Sequence, residues 1–111
     1  MDNSKDKLIT CSQLYREEET FTFYGEFEER SIIGKYNRSK VNPKEPDLRL
    51  YYRDAPPGTK EFLALWLKES PITGRRYLIG NADGMQYVGF INDNRLDDNE
   101  PYLTLCYVLK F

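Results

Sequence analysis

The residues best suited to chemistry in this 111-residue chain are cations interleaved with aromatic rings. In DLRLYYRD (residues 47–54), strict alternation places Arg49, Tyr51 and Arg53 on one side of an extended strand, and Leu48, Leu50 and Tyr52 on the other. Arg75 and Tyr77 repeat the pattern further along. Guanidinium groups track phosphates and tyrosine rings stack on bases, each stacked base contributing about 1–3 kcal/mol, so the five residues suit single-stranded nucleic acid. Charge agrees in part: residues 31–80 carry ten basic against five acidic side chains, a net +5, between two acidic flanks. The whole chain stands at −2, however, whereas dedicated nucleic-acid binders are usually basic. The competing reading is an ordinary sheet surface of solvated arginines and half-buried tyrosines.

Other chemistry is bounded by what the chain lacks. With no histidine, it holds no Ser-His or Cys-His nucleophile, imidazole base or imidazole metal ligand. Carboxylate, Lys, Tyr and Cys chemistry remain, none in a recognisable motif, so no catalytic residue and no cofactor is expected. Glu26, Glu28 and Glu29 fall at a turn with no sign of a pocket. Asp93, Asp97, Asp98 and Glu100 offer oxygens, but without the alternation around a glycine that an EF-hand loop needs, so they read as a solvated loop. Cys11 and Cys106 read as small buried hydrophobes rather than a disulfide, and two thiols without histidine make a poor zinc site. No metal is expected.

The elements that would position these residues are strands. Only 40% of the chain is hydrophobic and its mean hydropathy is −0.71, yet it holds nine Tyr, six Phe and one Trp. Amphipathic rings of this kind build a thin core on a pleated, half-buried surface. Alternating segments separated by turns occur over 20–27, 31–38, 47–54, 60–70, 75–80, 85–92 and 102–110. Turns fall at Glu28–Arg30, at APPGT (55–59), at Pro71–Gly74 and at the four residues Asn81–Gly84. Residues 8–19 are ambiguous: Leu8, Cys11 and Leu14 have helical spacing, while LITC also reads as a strand. Residues 1–7 read as a frayed terminus, and no repeat or linker divides the rest. The expectation is a single all-β domain over 1–111, a small antiparallel barrel or sandwich of about seven short strands, OB- or SH3-like, with one short N-terminal helix as an option.

The hairpin KEFLALWLKESPITGRRYLIG (60–80) is apolar on both faces, as is the last strand. Trp66, Leu65, Leu67, Leu105 and Tyr107 are therefore expected in the core or at an interface, with one apolar face covered by a partner. The chain begins MDNSKDKL, without a basic apolar leader, and has no apolar run of membrane-spanning length, which reads as cytoplasmic with no membrane contact.

Pro46-Asp47-Leu48-Arg49, then Trp66-Leu67-Lys68-Glu69-Ser70, then Gly74-Arg75-Arg76-Tyr77-Leu78 form an order that resembles a small bacterial and plasmid-borne family of unknown function (domain of unknown function 736). Its members run APDYR…W…K.S..GR.YL. The likeness is confined to this central stretch and implies a prokaryotic setting tied to a mobile element or phage. It brings no established activity or catalytic residue. Together these features point to a non-enzymatic binding module acting through a protein partner or a homodimer, with single-stranded nucleic-acid binding by Arg49, Tyr51, Arg53, Arg75 and Tyr77 as the alternative.

Overall fold

A computed structural model describes residues 7–17, 22–97 and 99–109. The segment expected to fray thus lies outside the described residues, except for Lys7, which begins the first strand. Eight strands are formed: β1 (Lys7–Arg16), β2 (Thr22–Phe27), β3 (Arg30–Tyr36), β4 (Leu48–Tyr52), β5 (Leu63–Glu69), β6 (Arg76–Ala82), β7 (Met85–Ile91) and β8 (Leu103–Leu109). Each pairs antiparallel with the next, and β8 pairs with β1, closing the sheet. Of the all-β barrel or sandwich expected from the sequence, the barrel is present. It closes fully, in sequence order, and leaves no free edge. Among the described residues there is no helix, and none long and apolar enough to cross a membrane.

β1, the strand beyond the seven expected, is the segment whose spacing allowed helix or strand. It bonds to β2 through Leu14–Arg16 and to β8 through Lys7–Leu14, with a bulge at Cys11 between Thr10 and Ser12. The inserted residue lengthens the step between Ile9 and Ser12, which pair with Tyr107 and Leu105, from two residues to three, while Leu8 stays on the outer wall, so the helical spacing of Leu8, Cys11 and Leu14 marks no single face. Two turns are also tighter than expected. Asn81 and Ala82 pair with Gln86 and Met85, leaving only Asp83-Gly84, both at positive φ, to reverse the chain. Arg30 likewise pairs with Phe27, leaving Glu28-Glu29 at φ 52° and 63°. Two-residue turns of this left-handed kind match the twist of paired strands.

The barrel interior is filled by alternate residues of every strand. Leu14, Ile32, Leu48, Leu50, Leu63, Leu65, Leu103 and Leu105 are fully buried, with Phe23, Phe27 and Leu78 nearly so. An eight-stranded barrel is just wide enough for side chains to fill it or for one small ligand to enter.

The barrel is built from two copies of one four-stranded unit, β1–β4 and β5–β8, a repeat that reading by composition and periodicity passes over. Adding 55 to residue numbers from β2 onward (Asn37 to Asn92) superposes Gly25 on Gly80, Gly34 on Gly89, Asn37 on Asn92, Glu45-Pro46 on Glu100-Pro101, and Leu48, Leu50 and Tyr52 on Leu103, Leu105 and Tyr107. Hydrogen bonds repeat with the residues. Asn37 N donates to Asp47 O at 2.8 Å and Asn92 N to Tyr102 O at 2.9 Å; Asp47 N donates to Leu65 O at 2.9 Å and Tyr102 N to Leu14 O at 2.8 Å. The Glu45 carboxylate accepts from Val41 N, and Glu100 from Leu96 N. Lys44 N donates to Asn42 Oδ1 at 2.9 Å, and Asn99 N to Asp97 Oδ1 at 2.8 Å. In β1 and β5 the shift is 51 (Leu14 to Leu65), because the β5–β6 hairpin runs four residues further beyond the matched pair, Leu67–Leu78 against Arg16–Phe23. The paired glycines show why these positions stay glycine. A Cβ at Gly25 would stand 2.5 Å from Gln13 O, and one at Gly80 would stand 2.0 Å from Ala64 O. Backbone approaches backbone there, and no side chain fits.

Candidate functional site

The β3–β4 and β5–β6 connections lie at one end of the barrel, where β1 ends and β2 begins. A cavity of about 190 Å³ enters it, with Leu48, Leu78 and Leu103 as a buried floor and Phe23, Tyr36, Leu67, Ile91 and Tyr102 as walls. Arg16 and Arg76 are the charged members of this lining. The lining follows the repeat: Phe23 matches Leu78, Tyr36 matches Ile91 and Leu48 matches Leu103. The match breaks where Arg16 corresponds to Leu67 and Tyr102 to Asp47.

The rim is held by the two repeated loops, 37–47 and 92–102. Asp47 is 8% exposed, and its Oδ2 accepts from Leu67 N at 2.7 Å and Lys40 Nζ at 3.1 Å, tying loop to strand. Glu45 accepts from the Asn42 and Val41 N–H groups, which hold its carboxyl below the usual range. Across the mouth, the Tyr102 ring packs on Phe23 at 5.1 Å, with the Arg16 and Arg95 guanidinium groups 6.0 and 5.4 Å from its centroid. Arg16 Nε is buried and has no hydrogen-bond partner. Arg76 forms no ion pair with Glu69, its neighbour across β5–β6.

The opposite end is sealed by rings. Tyr52 stacks on Phe62 at 4.3 Å, and Phe27 lies 5.2 Å from Phe62 and 6.0 Å from Tyr87. Arg30 covers Tyr52 at 3.6 Å and bonds Asp54 Oδ1 at 2.9 Å, which lowers the Asp54 carboxyl pKa. Cys11 packs into this end and donates to Leu105 O at 3.3 Å. Burial, reinforced by the neighbouring Cys106, pushes its thiol up to about 11, and burial also raises Tyr52 and Tyr87. Both cysteines are free. At neutral pH, Cys11 is therefore a protonated, unreactive thiol.

The five residues singled out for nucleic acid divide between two surfaces. Tyr51 and Arg53 share a groove with Ile33 and Lys35 outside β3–β4, where Lys35 lies 5.7 Å from the Tyr51 ring. Arg49, on the same face, is 3.3 Å from Glu61 and partly neutralised. Arg75 and Tyr77 lie beside Phe90 and Asp93, beyond β5. Of the residues assigned to core or interface, Leu65 and Leu105 are core, Leu67 lines the mouth and Tyr107 is half-buried. Trp66 points outward, with its indole N–H donating to Lys44 O at 3.0 Å, so the core reading does not hold for it: β5 turns Leu65 inward and Trp66 outward.

The outward face of β5–β8 is apolar. One cross-strand row runs Trp66, Ile79, Val88, Cys106, and the next runs Lys68, Tyr77, Phe90, Thr104. Acidic loop 93–100 uses Asp97 and Glu100 to cap its own backbone. Among the described residues, no three His, Cys, Asp or Glu side chains gather where they could hold a metal ion. Sequence reading missed Arg16, which fell in the ambiguous segment, and Arg76, read only as part of a basic stretch. Closure of the barrel, not any local pattern, brings both to one mouth. No protein-family model matches this chain, and no curated protein or solved structure matches it either.

Proposed function

We propose that this protein is a non-enzymatic binding barrel whose open end receives one small, largely apolar molecule. The observation that carries the reading is the 190 Å³ cavity, continuous with the leucine core, at one end only of a barrel whose other end is packed with rings. An apolar cavity of about 150 Å³ is large enough to bind benzene, so this one has room for a single ring or a short alkyl chain. The absence of histidine and the high Cys11 pKa fit binding better than catalysis.

Methyl NMR during titration with octan-1-ol tests it. Leu67, Leu78, Ile91 and Leu103 shift in a saturable manner, and the cavity-filling Ile91→Trp loses the response. Silence at these methyls, or movement confined to Val88 and Leu8 on the outer wall, refutes the reading.

A second reading, self-association or docking of a protein partner, is favoured by the outer wall of β5–β8, where Trp66, Ile79, Val88, Tyr77 and the 42% exposed Phe90 adjoin. Light scattering at high concentration tests self-association: a dimer that Phe90→Lys dissociates supports it, and a strict monomer removes it.

A further inference from the structure

We propose that the ligand of the open mouth is an anionic amphiphile: a small carboxylate whose ring or short chain enters the cavity while Arg16 and Arg76 hold its head at the rim. This rests on the mouth being a ligand site and adds the charge of what enters it.

The repeat provides the control. In one half of the rim, Leu67 faces the cavity, and its backbone N–H is satisfied by the Asp47 carboxylate, which also binds Lys40. In the other half, Arg16 stands in place of Leu67 and Tyr102 in place of Asp47. A cation has been added and a carboxylate removed at the same point, and Tyr102 has no carboxylate to offer the Arg16 N–H. The Arg16 guanidinium lies 6.0 Å from the Tyr102 ring, at the outer limit of a cation–π contact. Its Nε is buried without an acceptor, a state that a charged donor leaves at considerable gain once an oxygen arrives. Arg76 reaches the same cavity from β6, separated from β1 by β7 and β8; it is exposed and, among the described residues, forms no ion pair. Among the described residues, no acidic side chain lines the cavity. An incoming carboxylate therefore meets two guanidinium groups above an apolar floor, and charge-assisted bonds of this kind are about twice as strong as neutral ones. The volume sets the rest of the ligand: it lies below the range of about 300–1,000 Å³ that encloses drug-sized molecules, which selects a ring or short chain.

Isothermal titration of the full chain with octanoate, octan-1-ol and octylammonium tests the charge. Octanoate binds at least tenfold more tightly than octan-1-ol, and octylammonium more weakly than either. Arg76→Gln, at an exposed position, melts like the wild type, loses about fivefold or more of octanoate affinity and keeps its octan-1-ol affinity. Arg16→Gln shows the same selective loss. Equal affinity for octanoate and octan-1-ol, or octanoate binding unchanged in Arg76→Gln, overturns the anionic head while leaving the apolar mouth standing. Failure of both octanoate and octan-1-ol to bind overturns the mouth itself.

Discussion

The two ends of this barrel are made from the same repeated unit and finish in opposite ways. At the sealed end, Phe27, Tyr52, Phe62 and Tyr87 close over the leucine core, with Arg30 laid across Tyr52. At the open end, the equivalent depth is left as a cavity, and long hydrogen-bonded loops hold its rim apart. What differs is the connection. At the sealed end, two-residue turns, Glu28-Glu29 and Asp83-Gly84, bring ring-bearing strand ends together and the 53–62 connection adds Phe62, whereas the steps from Asn37 to Asp47 and Asn92 to Tyr102 bond their polar groups to themselves. Stability is concentrated at one end and access at the other.

Truncations should expose that difference most. Phe27→Ala removes a buried ring from the seal and is expected to cost about 3–5 kcal/mol, while Leu67→Ala, with one flank already open, costs about 1 kcal/mol. Urea unfolding measures both, and equal costs would mean the ends are packed alike. At the rim, Asp47→Ala leaves the Leu67 N–H and Lys40 without their acceptor and should cost about 2–3 kcal/mol by the same assay. A loss below 0.5 kcal/mol would show that water replaces the carboxylate and that the rim is not held by it.

The sealed end also carries correctable strain. Glu28 and Glu29 adopt the left-handed turn that Asp83-Gly84 adopts with a better residue pair. The double change Glu28→Asn, Glu29→Gly should therefore raise stability by about 1 kcal/mol, read as a shift in melting temperature. A lower melting temperature would indicate that the glutamate side chains contribute more than their backbone costs.

The smallest effect is in pH. Cys11 has a folded pKa of about 11 against an ordinary value of 9.0, so the native state retains its proton where the unfolded chain loses it. Its contribution is intact below pH 9 and declines as pH rises through about 11. Cys11→Ser should flatten that alkaline decline; an unchanged slope would assign it to tyrosine ionisation instead.

Much of this fold was legible in alternation. Residues 47–54 show which side faces in, because a strand with one buried face must repeat every two residues. Segment 8–16 hid its strand because the Cys11 bulge breaks that period. The repeat hid for a different reason. Its identical residues are few and scattered: Gly25 and Gly80 at backbone contacts, Asn37 and Asn92 with Glu45-Pro46 and Glu100-Pro101 in self-bonded loops, and Leu48, Leu50 and Tyr52 with Leu103, Leu105 and Tyr107 in the barrel. The intervening core positions exchange Phe23 for Leu78 and Phe27 for Ala82. The mouth was illegible because it joins Arg16 to Arg76 through closure of the barrel, which no local pattern encodes.

The central claim is that one end admits an apolar guest and the other does not. Diffraction from crystals under xenon pressure tests this most directly. The account predicts a xenon atom among Phe23, Leu67, Ile91 and Leu103, with none among Phe27, Phe62 and Tyr87. Xenon at the ring-sealed end, or an empty mouth, would contradict it.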